Sequence, residues 1–80
     1  MLIVKEILHD IVAAIIGEDA KIEITEKINE TNNMITLELS VNKEDMGKVI
    51  GRKGKIAKAI RSVVKACANR HDKKVSVEII

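Results

Sequence analysis

At 80 residues and a net charge of +2, the chain makes one small domain, long enough for a single core with little margin. Hydrophobic residues are 46% but include no Phe, Trp or Tyr, so the core is aliphatic and no base can stack on an aromatic ring. One cysteine, Cys67, excludes an internal disulfide and a multi-cysteine metal site, and it fits a reducing cytosol.

Residues 2–16 carry Val4, Ile7, Leu8, Ile11, Ala14 and Ile15 on one helical side, with Glu6, His9 and Asp10 mostly opposite. Lys5, Glu6 and Asp10 break up the apolar pattern, which argues against a secretory leader, and the apolar run at 11–16 is too short to span a bilayer. Gly17 supplies a C-terminal cap. From Lys21 to Ile28 the chain alternates, placing Ile22, Ile24 and Ile28 on one face of a half-buried strand. Residues 30–33, Glu-Thr-Asn-Asn, are turn chemistry. Met34 to Val41 alternates again, with Ile35, Leu37, Leu39 and Val41 inward, so the two strands read as an antiparallel hairpin.

Asn42 can cap a short helix running from about Lys43 to Ile50 and stopping at Gly51. A long helix follows from Lys55 to about Asn69. Its apolar residues Ile56, Ala57, Ala59, Ile60, Val63, Val64, Ala66, Cys67 and Ala68 cover an arc of about 200°, wider than one sheet-facing stripe needs. Lys55, Lys58, Arg61, Ser62, Lys65 and Asn69 fill the remaining sector. After a loop at 71–74, Val75 to Ile80 reads as a closing strand.

Charge is segregated along this order. Residues 1–45 hold four lysines against ten acids, whereas residues 46–80 hold ten Lys or Arg against Asp72 and Glu78. A polarised distribution of this size points to a polyanionic partner. Within the basic half lies Gly51-Arg52-Lys53-Gly54, two glycines bracketing two cations between two helices. Glycine lets the backbone turn sharply and a ligand come close. The helix that follows offers its free N–H groups and positive dipole end, a ready site for phosphate oxygens. A Walker A loop would need glycine at Val49 and Ser or Thr at Ile56, and a dinucleotide fingerprint would again need glycine at Val49. Gly-x-x-Gly between helices remains, the loop with which KH domains clamp a nucleic-acid backbone.

The order helix–strand–strand–helix–GxxG–helix–strand resembles an α+β type II KH domain over essentially the whole chain, 1–80, with a three-stranded sheet and helices packed on one face. Residues 44–61, EDMGKVIGRKGKIAKAIR, are similar to the signature of the small stand-alone bacterial KH proteins of the KhpA family. Many KH domains carry Ile three residues after the second glycine; Ala57 stands there, with Ile56 one place earlier. The resemblance implies cytoplasmic single-stranded RNA binding, an RNA-chaperone role beside a larger KhpB-type KH partner, and a link to cell-envelope and cell-length control.

In that arrangement Gly51 and Gly54 allow close backbone approach, Arg52 and Lys53 pair with phosphates, and Lys48, Lys55 and Lys58 extend the positive track. Val49, Ile50 and Ile56 either line the groove for bases or belong to the core. The wide arc of the long helix suggests a homodimer, or a heterodimer with another KH protein, with the alanines at 59, 66 and 68 admitting a second helix; coverage by the first helix is the alternative.

Cys67 reads as a small buried hydrophobe, His9 and His71 as surface residues without metal-ligand spacing, and Met34 and Met46 as core or edge filler. No nucleophile–base or carboxylate pair suggests an enzyme, and neither a cofactor, a small-molecule substrate nor a membrane is implied. A protein–protein adaptor on the same fold is the competing reading, but an adaptor has no need of Arg52 and Lys53.

Overall fold

The computed structural model describes residues 2–80; Met1, the first residue of the expected domain, lies outside the described residues. Its elements are α1 (Leu2–Ile16), β1 (Ile22–Asn29), β2 (Met34–Val41), α2 (Lys43–Ile50), a single 3-10 turn (Arg52–Gly54), α3 (Lys55–Asn69) and β3 (Lys74–Ile79). The strands form one sheet in the order β1-β2-β3. β1 and β2 are antiparallel, with Ile22 opposite Val41 and Ile28 opposite Ile35. β2 and β3 are parallel, with Leu37 opposite Val77. A parallel pair needs a long crossover, which α2, the 3-10 turn and α3 supply. This is the α+β order expected of a KH domain, with a mixed sheet.

The hairpin turn is held by its own asparagines. Asn29 Oδ1 accepts from the Thr31 N–H at 2.9 Å, Asn32 Oδ1 accepts from the Met34 N–H at 3.0 Å, and Asn33 takes a positive φ of 57°. Because side chains alternate along β2, Ile35, Leu37, Leu39 and Val41 all point to the helical side and are buried. They meet Val75 and Val77 of β3, Val4, Leu8 and Val12 of α1, Val49 of α2, and Ile60, Val64 and Ala68 of α3 in one core. No aromatic ring takes part, so the core depends on branched aliphatic side chains interlocking closely. On the opposite face Lys27 Nζ lies 3.1 Å from Glu38 Oε1 among Thr25, Thr36, Ser40 and Ser76.

Two expectations about burial change, and one about a strand boundary. On α1 the buried stripe runs through Val4, Leu8 and Val12, with Ile16 partly buried; Ala13 is buried and Ala14 and Ile15 are exposed. A stripe stepping by four residues rotates about 40° at each step, so by the last turn it has moved past Ala14 and Ile15. Ile28 does point to the helical side but is 63% exposed, because the tip of the hairpin runs beyond the helices. β3 starts at Lys74 and ends at Ile79, although the Ile80 N–H still donates to the Leu39 carbonyl at 2.9 Å. Gly17 closes α1 as expected, its N–H donating to the Ala13 carbonyl at 2.8 Å with φ at 103°.

Candidate nucleic-acid interface

α2 begins and ends with different devices. Asn42 occupies its N-cap, and its carbonyl accepts from the Asp45 N–H at 2.9 Å, but its side chain makes no capping bond. The expected Asn cap is thus positional only, and Glu44 and Asp45 in the first turn complement the positive end instead. At the other end the Gly51 N–H donates to the Gly47 carbonyl at 2.9 Å, and the chain leaves the helix with Gly51 at φ 74°, ψ 176°. That backbone region is essentially restricted to glycine. A Cβ on Gly51 would also collide with the Ile56 side chain, whose own Cβ would lie only 2.8 Å away. Gly51 is therefore required twice, by its dihedrals and by its neighbour.

The turn between the glycines presents its cations outward. Lys53 is left-handed at φ 56°, ψ 27°, and Gly54 follows at φ 73°, ψ 14°. The Gly54 N–H donates to the Gly51 carbonyl at 3.2 Å, and the Lys55 N–H donates to Arg52. Open space surrounds the place a Cβ on Gly54 would take, so Gly54 is favoured by its φ alone. α3 starts directly after it with no acidic residue in its first turn. The positive end of a fifteen-residue helix is thus left without an internal anion.

The structure brings the expected cations together. Arg52 and Lys53 lie on the turn, Lys55 opens α3, Lys58 sits about one turn further, and Lys48 is in the last turn of α2. All five are exposed, and among the described residues none enters a salt bridge. Gly51, Gly54 and the cations therefore form one surface. The apolar residues divide: Val49 is fully buried in the core and has no surface for a ligand, whereas Ile50 and Ile56 keep 39% and 38% of theirs.

Sequence reasoning carried the positive track to Lys58 but not on to Arg61 and Lys65. Lys58, Arg61 and Lys65 follow one another at helical spacing on the side of α3 that turns toward β3, one of the two edge strands of the sheet. Arg61 Nε donates to the Val77 carbonyl at 3.2 Å, which pins the guanidinium against that edge. Beside it lies a cleft of about 540 Å³ lined by Met34, Arg61, Lys65, Asn69, Lys74, Val75, Ser76 and Val77. The spacing of Lys58, Arg61 and Lys65 was visible in the chain, but the nearness of Arg61 and Lys65 to Lys74 depends on the crossover.

Cys67 is half-buried rather than fully buried, His9 and His71 are exposed, and Met34 and Met46 are partly buried. His9 Nδ1 lies 3.4 Å from Asp10 Oδ1. Among the described residues no group of His, Cys, Asp and Glu could hold a metal ion. No described helix is long and apolar enough to cross a membrane.

Comparison with known proteins agrees with this geometry. Residues 5–79 match the family model described as KhpA/KhpB, KH domain. The chain is 49% identical over 76 residues to RNA-binding protein KhpA of Clostridium perfringens, covering 95% of this chain and 99% of that protein. It is 45% identical over 76 residues to RNA-binding protein KhpA of Listeria monocytogenes, covering 95% and 97%. Among solved structures, Aquifex aeolicus Era bound to GDP·AlF4− superposes with a TM-score of 0.66 at 18% identity, over 98% of this chain and 29% of that one. Era in complex with MgGDPNP and a segment of 16S ribosomal RNA gives 0.65 at 18% identity, with the same coverage. At that identity the Era structures speak for the fold alone. With its GxxG turn, its crossover and a family match from residue 5 to residue 79, the chain belongs to the KhpA/KhpB KH-domain family.

Proposed function

We propose that this protein binds single-stranded RNA by its sugar-phosphate backbone, with the GxxG turn as the grip and the Lys58–Arg61–Lys65 side of α3 as the track. The observation that carries the reading is the start of α3: uncapped by any acid, preceded by two left-handed residues, and flanked by Arg52, Lys53 and Lys55. Relatives 45–49% identical over nearly their full length are named RNA-binding proteins, which supports the same ligand here. Phosphate oxygens meet free amides and guanidinium or ammonium donors, while bases lie toward the cleft between α3 and β3.

Without aromatic rings, stacking adds little, so the affinity is modest, tolerant of sequence and steeply salt-dependent. Binding of this kind releases strands readily, which suits an RNA chaperone. An RNA ligand and an unpaired Cys67 both fit the cytoplasm.

Self-association, or pairing with a KhpB-type KH protein, belongs to the same reading. α1 and the sheet cover Ile60, Val64 and Ala68, but Ile56, Ala59, Val63 and Ala66 stay exposed along the other edge of the apolar arc. Val63 alone keeps 47% of its surface.

Replacing Arg52 and Lys53 together by Asp is expected to abolish binding of single-stranded RNA in a gel shift. Stability should change by only about half a kcal/mol in a thermal melt, since both side chains are exposed. A folded double variant with undiminished affinity would contradict the proposal.

A further inference from the structure

The exposed residues on α3 follow a strict pattern. Ile56, Ala59, Val63 and Ala66 recur at alternating steps of three and four, the spacing of a coiled-coil seam, with large and small side chains taking turns. If two copies of α3 lie antiparallel, Ile56 falls opposite the partner's Ala66 and Ala59 opposite the partner's Val63. Each bulky side chain then meets an alanine, and the twofold axis repeats both layers. Sliding one heptad brings Arg70 into the seam and leaves both copies of Ile56 uncovered. The seam is flanked by Ser62, Cys67 and Asn69, with Lys55 at its end opposite the partner's Cys67, so no charge faces a like charge at its centre.

This register has a consequence at the ends. Arg70 continues the seam: its dihedrals stay helical at φ −65°, ψ −19°, and its N–H donates to the Ala66 carbonyl at 3.3 Å. It lies four residues, about 6 Å, beyond Ala66, and so at the level of the partner's turn just before Ile56, which is the GxxG turn itself. Resting on the RNA reading above, we propose that the phosphate grip is composite: Arg70 of one copy completes the Gly51–Gly54 turn of the other, and RNA binding and dimerisation reinforce each other.

The free dimer brings Arg70 beside the partner's Arg52 and Lys53, and like charges repel. A phosphate bound between them turns that repulsion into attraction. By reciprocity, RNA tightens the dimer by the same factor by which the dimer binds RNA more tightly than the monomer. Salt then acts oppositely on the two equilibria: screening strengthens self-association of the free protein and weakens RNA binding.

The test uses the full chain and a short fluorescein-labelled oligouridylate. Arg70→Ala removes one phosphate contact and should lower affinity about fivefold at about 0.1 M salt. The same change is made in an Ala59→Gln, Val63→Asn background, two neutral substitutions at exposed positions that block the seam without disturbing the core. There the cost of Arg70→Ala should vanish, and sedimentation of the unmodified protein should show association rising with salt and with added oligonucleotide. An equal cost in both backgrounds, or an 8.9 kDa monomer that binds RNA without associating, overturns the composite grip. If Arg52→Asp with Lys53→Asp still abolishes binding in that case, the turn keeps its role and only the partner's contribution falls. Normal binding by that variant would instead remove the underlying RNA reading.

Discussion

α2 starts on Lys43-Glu44-Asp45, so two carboxylates sit at the positive end of the helix dipole, whereas α3 starts on Lys55-Ile56-Ala57 with none. The two helices belong to one crossover and contribute to the same core, yet one N-terminus is neutralised from within and the other is ringed by Arg52, Lys53 and Lys55. Folding alone would be served by acids at both ends, each contributing roughly 0.3–1 kcal/mol. Leaving α3 open forgoes that contribution and keeps its amides free for an external anion. On the proposed RNA reading, the contrast separates a terminus built for stability from one built for a ligand.

Breaking the ligand terminus through its backbone should give the largest effect. Gly51→Ala meets both the glycine-only dihedrals and the Ile56 side chain, and should cost about 2 kcal/mol or more, or roughly 10 °C in Tm. Gly54→Ala meets only a left-handed φ with open space around it, and should cost about 1 kcal/mol. Thermal melts of the two variants check the order; equal losses would mean that the Ile56 contact is unimportant.

A smaller effect is expected from single charges on the track. Lys58→Ala should lower RNA affinity for every sequence tested and reduce the slope of log affinity against log salt by about 0.7. A loss confined to one RNA sequence would make Lys58 a reader of bases. The smallest effect belongs to the stability terminus: Asn42→Ala should move stability by a few tenths of a kcal/mol, because the side chain makes no capping bond, against about 1 kcal/mol for a bonded cap. A loss of a full kcal/mol in chemical denaturation would show that the cap bond forms in solution.

Much of this was legible before any coordinates. The boundaries of α2 and α3 follow from the glycines that stop and start them, and the inward face of β2 follows from strict alternation. Lys48, Arg52, Lys53, Lys55 and Lys58 are close in sequence, so their convergence needed only the turn. What stayed hidden depends on distant parts of the chain. Alternation places Ile28 on the helical side but cannot say where the helices end. Helical spacing marks Val49 and Ile50 alike as apolar, yet only Val49 reaches the core. The cleft beside Arg61 exists because the parallel crossover sets the β3 edge against α3, a juxtaposition that no local pattern encodes. The 200° arc on α3 correctly signalled more apolar surface than the sheet could cover; which edge stays bare depends on the placement of α1.

On the proposed reading, an external phosphate occupies the start of α3 and leaves the start of α2 untouched. Backbone amide shifts of the labelled protein, followed during titration with short single-stranded RNA, test it most directly. Movement concentrated at residues 51–58, with residues 42–46 unchanged and the response weakening as salt is raised, is the predicted result. Shifts centred on α2 or on the outer face of the sheet, with the GxxG turn silent, would contradict it.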